Sequence, residues 1–110
     1  MAEQATKSTI HKLTVHGVSF TVDTDLLDDV KTLEYFDRIE DKGQVAAVMP
    51  LLKTILGKEK YAKLEADFTK VDADEHAKEN PDDKDYHPRM RIKHLQDTYL
   101  AIVEKFNPKA

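Results

Sequence analysis

Hydrophobic residues in this chain change their period once, and that change divides it into two kinds of structure. Between Ile10 and Val22 the apolar residues Leu13, Val15, Val18, Phe20 and Val22 alternate with polar ones. From Leu26 onward they recur every three or four residues. A period of two lines one face of a strand, and a period between three and four lines one face of a helix. His16-Gly17 interrupts the alternating run at its middle, and Gly17 accepts the positive φ that a tight hairpin turn demands. The first part is therefore predicted to be a small one-faced β-hairpin. An isolated two-stranded hairpin is marginal in water, so Val15, Phe20 and Val22 must lie on another element, and only helices are available.

The helical part is punctuated by caps and breakers. In Thr24-Asp25-Leu26-Leu27-Asp28-Asp29 a carboxylate can accept a free backbone N–H, which predicts a helix starting after Asp23 or Asp25. Leu26, Leu27, Val30, Leu33, Phe36 and Ile39 then read as one buried stripe, ended by Gly43. Val45, Val48, Met49, Leu52, Ile55 and Leu56 resume helical spacing, with a kink or a fresh start expected at Pro50. Gly57 has the position of a C-terminal cap, and a further helix is predicted from Lys58 to Val71 through Tyr61, Leu64 and Phe68. Residues 72–87 are rich in acids and contain Asn80-Pro81, which predicts a mobile loop. A last helix is expected from Pro88 to about Phe106, with Ile92, Leu95, Tyr99, Ile102 and Phe106 on one stripe. That stripe is assigned to the core rather than to a coiled-coil seam, because it is shorter than three heptads. Residues 1–8 show no apolar period and are expected to be disordered. The expected fold is mainly α, an α+β arrangement of a short N-terminal hairpin and about four helices in a single domain over residues 9–110.

Composition narrows the function. With 110 residues and 40% hydrophobic content there is room for one modest core. Cysteine is absent, which excludes disulfides and thiolate metal sites and fits a reducing compartment. Met1 to Lys12 holds no signal-like apolar run, and Val45 to Leu52 is far below the roughly 20 residues that span a bilayer. A cytoplasmic protein without membrane contact is expected. The net charge of -4 hides two blocks: Asp23 to Asp41 is strongly acidic, and His87 to Ala110 is mildly basic. A short basic cluster on an acidic chain is a poor phosphate-neutralising face, so nucleic acid is an unlikely partner.

Catalytic and metal chemistry find little footing. There is no Gly-rich phosphate loop, nucleophile elbow or paired-Cys spacing, and Ser8 and Ser19 lie near no base in sequence. Asp82, Asp83, Asp85 and His87 could hold a hard cation or one transition metal, but a solvated acidic loop is the reading preferred. Asp72, Asp74 and His76 begin like a calcium loop whose sixth position is Ala77 instead of Gly. His11 and His16 flank the hairpin turn and read as inert surface residues. The expectation is a non-enzymatic binding protein with no catalytic residue, no metal and no cofactor.

The block from Phe20 to Phe68, FTVDTDLLDDVKTLEYFDRIEDKGQVAAVMPLLKTILGKEKYAKLEADF, resembles the small tail assembly chaperones of long-tailed phages and prophages of Gram-positive bacteria. The order of parts carries the resemblance: Phe20 to Asp23 ending a hairpin, Leu27 to Asp29 opening an acidic amphipathic helix, the Pro50 to Lys53 turn, and the Leu56 to Leu64 corner. The sequence departs from many relatives at Val30, where they carry Trp, and in a longer acidic loop. The resemblance implies a cytoplasmic chaperone, absent from the mature virion, that coats the long apolar tape measure protein until tail tube protein displaces it. It further implies a longer frameshifted form that recruits tail tube protein. The rival reading is a small acidic bacterial adaptor or regulator. The opposite charge blocks suggest weak head-to-tail homo-oligomers in which Asp28 and Asp29 meet Arg89, Arg91 and Lys93 of a neighbour. For Leu26, Leu33, Leu52, Leu56, Leu64 and Leu95 the expectation is the core, and no residue is assigned to partner binding.

Overall fold

The computed structural model describes residues 9–106; the expectation for residues 1–8 lies outside them. The hairpin forms as read. Strands β1 (Ile10–Val15) and β2 (Val18–Asp23) pair antiparallel, with Val15 opposite Val18 and Leu13 opposite Phe20. His16 and Gly17 both take positive φ, 51° and 80°, as a two-residue turn matched to the strand twist requires. The register places His11, Leu13 and Val15 beside Val22, Phe20 and Val18 on one face, and Val15, Val18 and Val22 are buried.

Four helices complete the single small domain: α1 (Val30–Glu40), α2 (Val48–Leu56), α3 (Lys58–Glu79) and α4 (Ile92–Phe106). The mainly α, hairpin-plus-four-helix architecture is the one expected. Helix α2 is the hub, burying Val48, Leu51, Leu52, Ile55 and Leu56 among the hairpin and the other three helices. Pro50 is the third residue of α2, in its first turn, where the missing N–H has no helical acceptor to lose; the helix starts at Val48, two residues before the fresh start expected at Pro50. Gly57 joins α2 to α3 without a linker: its N–H donates to Lys53 O at 2.9 Å and its carbonyl accepts Tyr61 N–H at 3.0 Å. The α4 stripe of Leu95, Tyr99 and Ile102 closes the core, as assigned.

Three helix boundaries differ from expectation: α1 starts later, α3 ends later, and α4, expected from Pro88, begins only at Ile92. The segment after Asp23 forms a short 3-10 turn, Thr24–Leu27, capped by the Asp23 carboxylate. The α-helix begins only at Val30, where extended Asp29 accepts Lys31 N–H at 2.8 Å. Helix α3, predicted to stop at Val71, continues to Glu79, so 72–79 is helix where a loop was expected. The cause is Asp72, only 3% exposed, which takes the next inward position after Tyr61, Leu64 and Phe68. A carboxylate at a core position reads as the end of an apolar stripe, yet here it is satisfied. It accepts Tyr86 Oη at 2.6 Å and Arg89 N–H at 3.1 Å, and Arg91 approaches at 3.5 Å. These bonds fold the segment after Asn80 back along α3, where Tyr86 stacks on His76 with ring centroids 3.7 Å apart.

Candidate functional site

Helix α1 carries two faces. Its inner face buries Thr32 and Phe36, and the Thr32 hydroxyl donates to Leu26 O at 3.1 Å. Its outer face leaves Val30 and Leu33 at 77% and 61% exposure, and Leu26, in the 3-10 turn before it, is 44% exposed. The single stripe expected over Leu26 to Ile39 is therefore two. The reason is geometric: Val30, Leu33, Phe36 and Ile39 are successive steps of three, and each such step falls about 60° short of a full turn. Three steps carry the series to the opposite side of the helix. Val30 and Leu33 thus face out, while Phe36 faces in and Ile39 is half-buried against the core.

The outward residues form the floor of a shallow groove of about 350 Å³ lined by Val30, Leu33, Glu34, Asp37 and Asp41. Lys42 lies 3.7 Å from Asp37 at its far end. Leu26, Leu33, Leu52, Leu56, Leu64 and Leu95 are all expected in the core; Leu52, Leu56, Leu64 and Leu95 are buried, Leu33 lines this surface, and Leu26 is exposed in the 3-10 turn before α1. For Leu33 the signal is the run of threes within α1.

The five residues expected to mediate self-association have mostly intrachain work. Asp28 is exposed beside the 3-10 turn, and Asp29 caps α1. Arg89 donates to His87 O at 2.8 Å and lies 5.3 Å over the Tyr86 ring. Arg91 donates to Tyr86 Oη at 3.1 Å, and Lys93 lies 3.6 Å from Glu75. Burial pushes the Asp72 carboxyl up, but the Tyr86 hydroxyl, the Arg89 N–H and the Arg91 charge outweigh it and hold it below the usual carboxylate value.

A second cluster joins His94 to His16, which with His11 is expected to be an inert surface residue. His16 Nε2 lies 2.6 Å from Asp97 Oδ2, with its ring edge-on to Phe68 and to His94. His94, fully buried, stacks on Phe68 at 4.6 Å and accepts Arg91 N–H at Nδ1, 2.8 Å, capping α4. Accepting there puts the proton of the neutral ring on Nε2. Burial, with His16 and Lys93 nearby, lowers the His94 pKa despite the opposing charges of Asp72 and Glu75. His11 packs edge-on against Phe106 at 5.3 Å. These rings bind the hairpin to α3 and α4, a structural use.

Among the described residues no group of three or more His, Cys, Asp or Glu converges for a metal ion, and His76 instead lies 2.8 Å from Asp83. Among the same residues no helix is long and apolar enough to cross a membrane. No known family, curated protein or solved structure matches this chain.

Proposed function

We propose that this chain is a non-enzymatic, cytoplasmic tail assembly chaperone that shields the apolar helical surface of a tape measure protein. The observation that carries the reading is the outward face of α1, where Val30 and Leu33 stay exposed although the other side of the same helix is packed; Leu26 is exposed in the 3-10 turn before it. Contiguous exposed apolar residues with a polar rim are the mark of a partner surface, and an amphipathic helix is the partner such a groove accepts.

The magnitudes suit a coat more than a tight binary complex. Burying Val30 and Leu33 contributes about 1.5–3 kcal/mol each, and association costs at least about 4 kcal/mol. One copy alone binds weakly. Many copies along one long partner hold it by avidity, and a competitor peels them off singly. The basic residues that a nucleic-acid reading would require, Arg89, Arg91 and Lys93, are engaged with Tyr86, Asp72 and Glu75, which favours the protein partner.

The test is co-expression with a tape measure fragment encoded beside this gene. The expected result is a larger soluble fraction and co-purification, lost on Val30→Ser/Leu33→Ser. An unchanged soluble fraction with the unsubstituted chain overturns the reading.

A further inference from the structure

We infer that the outer edge of β2 takes up an extended peptide as a third strand, seated between β2 and α3, and that the peptide it accepts carries an acidic residue next to an apolar one. This site shares no residue with the α1 groove. A two-residue hairpin closes on a hydrogen-bonded pair, so Val15 with Val18, Leu13 with Phe20 and His11 with Val22 exchange the ladder bonds. The pairs between them, Thr14 with Ser19 and Lys12 with Thr21, turn their N–H and C=O groups to the outer edges of the sheet. On β2 those groups belong to Ser19 and Thr21. Their hydroxyls are bonded, to Thr14 Oγ1 and Lys60 Nζ, but among the described residues no hydrogen bond reaches their outward backbone groups. Unpaired donors and acceptors at every second residue are matched by extended backbone, and not by a helix, whose backbone bonds are internal.

Side chains turn the edge into a groove of about 230 Å³, between the Ser19 to Thr21 stretch of β2 and Lys60, Lys63 and Leu64 of α3. Consecutive strand residues face opposite ways. Phe20 points to the core side with Val18 and Val22 and lines the groove with buried Leu64. Thr21 points the other way, where Lys60 Nζ donates to its hydroxyl at 3.1 Å. The residues of an added strand opposite Phe20 and Thr21 are likewise consecutive, so one lies over the apolar floor and the next beside the Lys60 ammonium. Lys63 is answered by Asp67 at 2.8 Å. Lys60 contacts only a neutral hydroxyl, with Asp23 acting on it at longer range, so a carboxylate is favoured at the second position. A second copy complements the edge poorly: pairing two β2 strands side by side would bring the Lys60 and Lys63 rims together. The occupant is an extended segment of a different protein.

Fluorescence anisotropy of the full chain with short labelled peptides rich in Thr and Val tests this. One peptide carries a central Val-Glu pair and a second carries Val-Lys. Two further Val-Glu peptides are N-methylated on alternate backbone nitrogens, either in phase with Glu or in phase with Val. Methylation in phase with Glu removes the donors that face β2 and should abolish binding, whereas methylation in phase with Val falls on the far edge and should leave it. One surface ion pair predicts about two- to fivefold tighter binding of Val-Glu than of Val-Lys at low salt, a preference that Lys60→Ala should erase. Thr21→Pro removes only an outward N–H of an edge strand and should weaken binding about tenfold, with circular dichroism unchanged. Equal binding of the two methylated peptides overturns strand addition, and so does binding of none of the four. Equal binding of Val-Glu and Val-Lys overturns the acidic preference. Self-association in sedimentation that Thr21→Pro abolishes would give the edge to a second copy and overturn the inference as well.

Discussion

Tyr86 Oη donates to Asp72 Oδ2 at 2.6 Å, joining the segment after α3 to a carboxylate buried in α3 itself. The bond decides where α3 ends and how α4 is approached, because Arg89 N–H and Arg91 reach the same carboxylate. Asp72→Ala removes the acceptor for all three and should cost about 2–4 kcal/mol. Tyr86→Phe, which leaves the carboxylate its other donors, should cost about 1–2 kcal/mol. Urea denaturation checks the order of the two; equal stability of Asp72→Ala and the parent would contradict the anchoring role.

Stability should fall in two steps on acidification. His94 has a lowered pKa in the folded chain, so the unfolded chain binds its proton first. Its contribution is complete above the unfolded value near pH 6.5 and declines as pH falls from there toward the folded value. Protonation also takes the Nδ1 lone pair that caps α4 at Arg91 N–H. Asp72, likewise lowered, contributes fully above about pH 4 and loses its contribution as pH falls through its folded pKa. Thermal melts between pH 8 and pH 3 should show both declines. His94→Gln should flatten the upper one and leave the lower one.

Gly57 has φ 86° and ψ 162°, a region open essentially to glycine alone. A Cβ there would meet nothing within 4 Å, so the cost of Gly57→Ala is confined to the backbone. It should amount to about 1–3 kcal/mol, a fall in Tm of roughly 5–15 °C. A melt unchanged within about 2 °C would show that the corner between α2 and α3 relaxes freely.

Leucines on the two sides of the fold should separate stability from binding. Leu52, fully buried in α2, should cost about 2–5 kcal/mol as Leu52→Ala. Leu33, at 61% exposure, should stay within about 0.5 kcal/mol of the parent as Leu33→Ser and lose the helical partner. Chemical denaturation paired with peptide anisotropy reads both effects. A large stability loss from Leu33→Ser would place that side chain in the core and remove the docking surface.

Much of the fold was legible along the chain because its signals are local. The alternation from Leu13 to Val22 with His16-Gly17 between gave the hairpin and its turn; Gly57 gave the α2–α3 corner; the stripe through Leu95, Tyr99 and Ile102 gave α4 and its buried face. The candidate site was not legible. A count of apolar spacings merges Leu26, Val30, Leu33, Phe36 and Ile39, since each neighbour is three or four away, while the drift of successive threes sends part of the series outward. The break at Asp28-Asp29 also restarts the helix, so no phase carries over from the preceding turn.

Sequence alone settled which residues turn, cap and alternate, because those choices depend on one residue's backbone preferences and its near neighbours. Tertiary structure decided which face of α1 meets the core and which carboxylate and imidazole are buried. Asp72 can sit inside because folding delivers Tyr86 and Arg89 from 14 and 17 residues away. His16 stays exposed yet gains a partner because Asp97, 81 positions distant, arrives beside it. A polar group's cost of burial is set by partners that exist only once the chain has folded, and periodicity holds no record of them.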